Sequence, residues 1–210
     1  MKPIYWLAGL LVLVLIVAGA GVFIWSGVYN IAADDPHWPL TARLMETVRN
    51  RSIAAQASGI VVPTLDDESM IRAGAGNYDA MCAACHLQPG VERSEASAGL
   101  YPAPPNLTRR RTDDAARAFW VIKHGIKMSG MPAWGKSMED EHIWGMVAFL
   151  RQLPAISPER YRELVAASGG HSHGGREDEP NDDGKEPADA HEEETKTHVH
   201  DDGSQHEHKN

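Results

Sequence analysis

The five residues Cys82-Ala83-Ala84-Cys85-His86 constrain this chain more than any other feature of its sequence. They contain both of its cysteines, separated by two residues, so no disulfide can close a long loop and the thiols must act locally. C-x-x-C-H is the spacing of c-type haem attachment. Two thiols so placed at the end of a helix can reach both haem vinyl groups, and His86 then points its imidazole at the iron. The motif predicts one covalent haem.

Two other chemistries use closely spaced cysteines. A thioredoxin-like dithiol needs a strand-helix-strand setting, and the sequence shows no alternating strand pattern of useful length. A zinc site needs two further ligands, and the nearby candidates are His124 and His142 because there is no second cysteine pair. Haem attachment is therefore the favoured interpretation.

The N-terminal segment predicts a membrane anchor. Ile4 to Trp25 contains no charged residue and is long enough to cross ~30 Å of hydrocarbon at about 1.5 Å per residue. Lys2 precedes it, and Asp34 and Asp35 follow it, so the positive-inside rule places the rest of the chain outside. We expect a single-pass anchor in a bacterial inner membrane, with the haem domain in the periplasm. A cleaved signal peptide ending near Ile31-Ala32-Ala33 is the alternative.

The composition divides the chain into four segments: an anchor at residues 1–30, a juxtamembrane connector at 31–65, a folded domain at 66–165 and a tail at 166–210. In the connector, Pro39 can open a helix. One face of that helix is apolar. Packing on the domain is the simpler role for this face, and lying on an anionic membrane surface is the alternative. The face comprises Leu40, Leu44, Met45 and Val48.

Helical spacing dominates the folded domain, which predicts an all-α fold. Helices are expected over 67–82, 113–124 and 137–153, the last with Ser137 and Asp140 as a capping signal. Residues 87–106 are rich in Gly, Pro, Ser and Ala and predict a loop. So small a domain buries little surface alone. We therefore expect the haem to complete the core, wrapped by Leu87, Leu107, Trp120, Ile126 and Trp134.

A sixth iron ligand is needed if the haem carries electrons. The run from Gly125 to Trp134 contains Met128 and Met131. A methionine in a loop flanked by glycine and proline does not serve ordinary helix packing. Pro132 stiffens the backbone after Met131, and Gly130 allows a close approach. A thioether ligand opposite an imidazole raises the reduction potential.

Residues 74–153 resemble a class I cytochrome c domain. Gly74 and Tyr78 match its first helix, where the glycine permits a close crossing with the last helix. Ile143-Trp144 and Phe149-Leu150 match that last helix. Two loop segments also agree with the family, and they are Pro105-Asn106-Leu107 and Gly130-Met131-Pro132.

The resemblance implies a fold of three to four helices around one covalent haem c. It implies iron ligation by His86 and Met131, with Met131 preferred over Met128. It further implies that the Pro105 carbonyl accepts a hydrogen bond from His86 and that Leu107 packs on the haem.

The tail explains the acidity of the chain. Residues 169–210 contain 4 Lys/Arg and 13 Asp/Glu, a difference of −9 that equals the formal net charge of the whole chain, −9. No basic stripe indicates nucleic acid. With seven histidines and few large apolar residues, this segment is expected to be disordered and to bind Cu, Ni or Zn weakly. The histidine pairs are His171/His173, His198/His200 and His206/His208.

Three functions remain consistent with these features. The first is an electron-transfer protein, not an enzyme, that serves redox partner proteins from the membrane surface. The second is the haem subunit of a larger oxidoreductase, including a copper-containing one. The third is a metal-handling protein that acts through the histidine-rich tail.

Overall fold

The computed structural model describes residues 3–172, 198–199 and 205–206. Residues 3–172 form eight α-helices, and a 3-10 turn lies on either side of the seventh, at Trp134–Lys136 and Leu153–Ala155. This part of the chain contains no β-strand, so the predicted all-α class is confirmed. The helices are α1 (Pro3–Ser26), α2 (Pro39–Ala57), α3 (Glu68–Met81), α4 (Ala83–His86), α5 (Glu95–Gly99), α6 (Ala115–His124), α7 (Asp140–Gln152) and α8 (Pro158–Ala166).

The charge-free N-terminal run forms a single helix, α1, as predicted. Its side chains from Ile4 to Ser26 are exposed. Within the part of the chain that the structure describes, α1 alone is long and apolar enough to cross a membrane.

Helices α3 and α7 pack against each other and form the centre of the domain. Gly74 of α3 and Gly145 of α7 meet where the two helices cross, and both are buried. Around this crossing lies an apolar core whose largest fully buried side chains include Tyr78, Ile143, Met146, Phe149 and Leu153. The family resemblance implied a glycine at this crossing at position 74, where a side chain would hold the two backbones apart.

Two of the three predicted domain helices have side-chain N-caps. Asp67 accepts a hydrogen bond from the Met70 N–H at the start of α3, and Asp114 accepts one from the Arg117 N–H at the start of α6. The third helix begins later than predicted. Its N-cap is Glu139, which makes no side-chain cap, and Ser137 is instead the C-cap of the 3-10 turn Trp134–Lys136. The Ser137 capping signal was therefore wrong.

Besides α4, which contains Cys85 and His86, two short helices were not predicted. Helix α5 lies in the segment expected to be loop, and a capping box between Ser94 and Ser97 starts it. Helix α8 follows the proline expected to end the domain's last helix, and it begins at the side-chain cap of Ser157. Both are too short to show a helical pattern that can be read with assurance from sequence.

The chain continues to contact the domain after α8. The Ser172 N–H donates to Asn77 Oδ1 at 2.8 Å, and a Cβ built on Gly76 would lie 2.3 Å from Ser168 Oγ. The predicted boundary at 165/166 thus falls beside residues that still pack on α3. Most of the predicted disordered tail lies outside the described residues. Its described strands, His198–Val199 and Gln205–His206, pair antiparallel with His198 opposite His206.

Helix α2 packs on the domain through a different face from the one expected. Ile53 and Ala57 are buried, and Asn50 Oδ1 accepts a hydrogen bond from Arg117 of α6 at 3.0 Å. The apolar face formed by Leu40, Leu44, Met45 and Val48 is exposed instead. The amphipathic pattern shows which residues share a face, but the side of α2 that packs on the domain is the one that contains Ile53, Ala57 and Asn50.

Candidate functional site

The two cysteines and His86 lie within one helical turn. Cys82 closes α3, where its N–H donates to the Tyr78 carbonyl at 2.8 Å. It also opens α4, because the N–H groups of Cys85 and His86 both donate to the Cys82 carbonyl, at 3.1 and 2.8 Å. The turn ends at Leu87, a non-glycine residue with φ 69°. The two thiols and the imidazole are therefore displayed from one short, hydrogen-bonded unit.

A side-chain hydrogen bond from Tyr78 also holds this turn. The Tyr78 hydroxyl donates to the Leu87 carbonyl at 2.6 Å. Tyr78 is fully buried against Phe149, with ring centroids 5.4 Å apart. Burial raises the pKa of the Tyr78 hydroxyl, so it stays protonated and can donate. The α3–α7 core thus fixes the position of the C-x-x-C-H turn.

The imidazole of His86 is held in one orientation. Its Nδ1 lies 2.9 Å from the Pro105 carbonyl oxygen. Because a carbonyl only accepts, Nδ1 must carry the proton, and Nε2 keeps its lone pair. The backbone adds a further link, since the Leu107 N–H donates to the His86 carbonyl at 3.2 Å.

Burial shifts the pKa values of His86 and Cys82. It lowers the pKa of the His86 imidazole, and the hydrogen bond to the Pro105 carbonyl opposes that shift. The neutral ring is the form that can donate its Nε2 lone pair to a metal. Burial, assisted by the nearby Cys85, raises the pKa of the Cys82 thiol to about 12. Both cysteines are free thiols, with Cys82 buried and Cys85 half-buried.

Met131 lies in a tightly turned loop after α6. The Ile126 N–H donates to the Met131 carbonyl at 3.1 Å, and the Met131 N–H donates to Ser129 Oγ at 3.2 Å. Gly125 makes this turn possible. It has φ 65°, and a Cβ there would lie 2.7 Å from the Met131 carbonyl oxygen. Only glycine readily meets both demands.

The two candidate methionines of this loop differ in their surroundings. Met131 is half-buried and packs against the apolar core. Met128 has 84% of its surface exposed and adopts φ 56°. The loop therefore turns one thioether inward and leaves the other in solvent.

The other residues expected around the haem are buried or half-buried. Leu87 is buried. Leu107, Trp120, Ile126 and Trp134 are half-buried. Of these, Leu107 and Trp134 pack against the core, and the Trp120 ring lies 5.0 Å from the His124 ring.

Sequence reasoning missed how the loop before Pro105 is attached to the rest of the chain. The Tyr101 hydroxyl accepts a hydrogen bond from the His37 N–H at 3.0 Å, and His37 Nδ1 lies 2.9 Å from the Tyr29 hydroxyl. These residues are far apart along the chain, and no local pattern links them. The connector thus contacts the loop that carries the acceptor of the His86 hydrogen bond.

The zinc alternative finds no support in the described residues. Within residues 3–172, no group of three or more His, Cys, Asp and Glu side chains is placed to hold a metal ion. The two histidines considered as zinc ligands, His124 and His142, form no such cluster with the cysteine pair.

Comparison with known families agrees with this geometry. Residues 69–150 match the family model described as cytochrome c oxidase, cbb3-type, subunit III. No curated protein and no solved structure matches the chain. The match spans α3 to α7, the helices that position the C-x-x-C-H turn and the Met131 loop.

The folded part of this chain is therefore a c-type cytochrome domain. It is all-helical and is preceded by an apolar helix. Such a domain carries haem and serves electron transfer. The donor set fits that group, because two free thiols lie in one turn with an imidazole whose Nδ1 is already engaged.

Proposed function

We propose that this chain is a membrane-tethered electron-transfer protein with one covalent haem c. Cys82 and Cys85 would form the two thioether links. His86 Nε2 and the Met131 thioether would be the axial ligands. The bound haem supplies a one-electron iron couple, and a thioether ligand favours its reduced form.

The hydrogen bond between His86 and Pro105 carries this proposal. At 2.9 Å it fixes both the tautomer and the plane of the imidazole. Histidine ligands of metals commonly donate their other ring N–H in this way, which raises ligand basicity and limits rotation. A histidine that served only packing would not need its Nδ1 fixed while its Nε2 is left available.

Burial supports Met131 as the sixth ligand. A thioether can bind iron only where it is turned into the protein, and Met131 packs against the core while Met128 is 84% exposed. The turn around Gly125 and Ser129 holds the Met131 backbone at both its N–H and its carbonyl. Such support limits reorganisation when the iron changes oxidation state.

We further propose that α1 anchors the protein at the periplasmic face of a bacterial inner membrane. The helix is uncharged, and Lys2 lies before it while Asp34 and Asp35 lie after it. This charge distribution keeps the N-terminus in the cytoplasm. Redox partner proteins would then reach the haem domain in the periplasm.

A redox titration of the full chain in detergent tests the electron-transfer proposal. We expect one reversible one-electron haem transition and a six-coordinate low-spin spectrum in both oxidation states. Rapid binding of carbon monoxide to the reduced protein, with a high-spin spectrum, would contradict the proposal because it would indicate an open iron position.

One observation favours a second candidate, the haem subunit of a larger oxidoreductase. The matched family is described as a subunit of a cytochrome c oxidase. Purification from membranes in mild detergent separates the two ideas. Stoichiometric recovery of a catalytic subunit would favour the complex, and a chain recovered alone with its haem reducible would favour the independent carrier.

We propose separately that the histidine pairs of the tail bind copper, nickel or zinc weakly. The backbone register sets His198 opposite His206, and imidazole suits these metals. Calorimetric titration with Cu²⁺ of the full chain and of a form ending at Ser172 tests it. Equal binding by the two forms would contradict it.

A further inference from the structure

We propose that the exposed apolar face of α2 lies on the lipid surface of the membrane through its three most exposed residues, Leu40, Leu44 and Val48. The proposal rests on the membrane tether argued above and adds a second, lateral contact to it. With this contact, the connector would set the orientation of the haem domain relative to the membrane.

The two sides of α2 have opposite surroundings. Ile53 faces the domain and is 3% exposed. Leu44 precedes it by nine residues, which at about 100° per residue places it about 180° around the helix. Leu44 is 61% exposed. Leu40 and Val48 lie about 40° to either side of Leu44 on the same reckoning, and they are 80% and 57% exposed.

This exposure is large for a helix that already packs on the domain. A helix with a single partner usually turns its large apolar residues toward that partner. Here the residues that α2 buries are Ile53 and Ala57, and the polar pair Asn50–Arg117 links it to α6. The larger apolar residues of the N-terminal half face away, which indicates an apolar partner on the other side.

Aromatic contacts place the start of α2 at the end of the membrane-crossing helix. Trp38 is the N-cap residue of α2, and its ring lies 6.1 Å from that of Phe23 in the last turns of α1. Tyr29 joins them, with its ring 5.0 Å from that of Trp38. Trp and Tyr favour the membrane interface. The exposed face of α2 therefore begins at the depth where α1 leaves the hydrocarbon.

The charge of α2 suits anionic headgroups. The helix contains three arginines and one glutamate, and Glu46 is paired with Arg49 at 3.8 Å. Arg43 and Arg51 are exposed. Counting by about 100° per residue, Arg51 falls on the apolar face itself, where its long side chain can reach the headgroups while its stem stays on lipid. A net positive helix with an apolar face binds anionic interfaces.

The contact would fix the haem domain above the membrane. One side of α2 would rest on lipid, and the other side is packed on α6, which leads into the loop of Met131. The domain would then present a constant side to its partners, instead of turning freely on a flexible tether.

Spin labelling of the full chain in vesicles tests the proposal. With Cys82 and Cys85 engaged by haem, an introduced cysteine is labelled alone. Leu44→Cys reports on the face, and Gln56→Cys is the matched control. Gln56 is exposed on the same helix but about 120° around it from Leu44. The protein is kept reduced, because low-spin ferrous haem is diamagnetic.

In vesicles of phosphatidylethanolamine and phosphatidylglycerol, the label at position 44 should be several-fold more accessible to oxygen than to chromium oxalate. The label at position 56 should show the reverse. Equal access of chromium oxalate to the two labels in vesicle-bound protein would overturn the proposal. Dipolar broadening between labels at position 44 would also overturn it, because a second copy would then cover the face.

Flotation of the same samples separates this proposal from the tether. Protein that floats with vesicles but leaves position 44 in water contradicts the α2 contact alone. Protein that does not float contradicts the tether and, with it, the α2 contact. The haem spectrum is recorded in every sample, so loss of haem is recognised independently.

A second measurement tests whether the contact fixes the orientation of the haem domain. In oriented membrane multilayers, the haem EPR signal of the oxidised protein should depend on sample angle. A variant with Leu40→Gln, Leu44→Gln and Val48→Gln should lose that dependence while keeping its spectrum and its flotation. Val61→Gln, which alters an 87% exposed residue outside α2, should keep it. Unchanged angular dependence in the triple variant would overturn the proposal.

Discussion

Gly74 of α3 and Gly145 of α7 are in backbone contact where the two helices cross. A Cβ built on Gly74 would lie 2.0 Å from the Gly145 carbonyl oxygen and 2.4 Å from its carbonyl carbon. The atoms in the way belong to backbone, so they cannot move aside as a flexible side chain would. The position of the C-x-x-C-H turn, eight residues further along, depends on this crossing.

Replacing Gly74 should therefore destabilise the domain. Gly74→Ala must push α3 and α7 apart, and overpacking of this kind costs about 1–3 kcal/mol or more. The measurement is guanidinium unfolding of the full chain in detergent, followed by far-UV circular dichroism. Gly99→Ala is the control, since a Cβ there meets nothing within 4 Å. Equal midpoints for the two variants would show that the crossing is not as tight as described.

The N-cap of α3 should give the domain a specific acid sensitivity. Hydrogen bonds from the Ser69 hydroxyl and the Met70 N–H lower the pKa of the Asp67 carboxyl from its ordinary value of 3.8. Since the folded-state pKa is the lower one, this contribution to stability is present above pH 3.8 and is lost as the pH falls through the folded-state value.

Asp67→Asn should accordingly lower the stability at neutral pH, and the difference from the native chain should shrink as the pH falls below 3.8. Denaturant unfolding at a series of pH values measures this difference. Val61→Gln, at an exposed residue without an ionisable side chain, is the control and should show no such convergence. A pH-independent difference for Asp67→Asn would mean that its charge does not stabilise α3.

Substitution of the two loop methionines should separate their roles. Met131→Ala should abolish the weak near-infrared sulfur-to-iron band of the oxidised protein and lower the reduction potential, because a thioether ligand favours the ferrous state. Met128→Ala should change neither, since that side chain is 84% exposed. If the two variants exchanged these properties, Met128 would be the ligand.

The best-predicted parts of the structure are those set by local chemistry. The charge-free run predicted α1 and Asp67 marked the start of α3, because each of these effects acts within a few residues. The helix crossing at Gly74, expected only from the family resemblance, is also present. The His86–Pro105 contact, expected only from a family resemblance, is present at 2.9 Å.

Features that depend on contacts between distant residues could not be predicted from local sequence patterns. The periodicity of α2 identified an apolar face, but the face that packs on the domain contains Ile53 and Asn50, and the hydrogen-bond partner of Asn50 is Arg117, 67 residues away. In helix α8, Tyr161 is buried and its hydroxyl donates to Asp79, 82 residues earlier in the chain, at 2.7 Å. Leu164 and Val165 also pack against the core. Because the Asp79 partner lies so far away along the chain, no local pattern predicts this contact.

The mass of the intact, denatured chain tests the central claim most directly. If Cys82 and Cys85 form thioether links, protein purified from membranes will retain the mass of one haem after acid and organic solvent, and the peptide containing residues 82–86 will carry it. A chain with the mass of the polypeptide alone, its haem extracted by the solvent, would contradict covalent attachment at this turn.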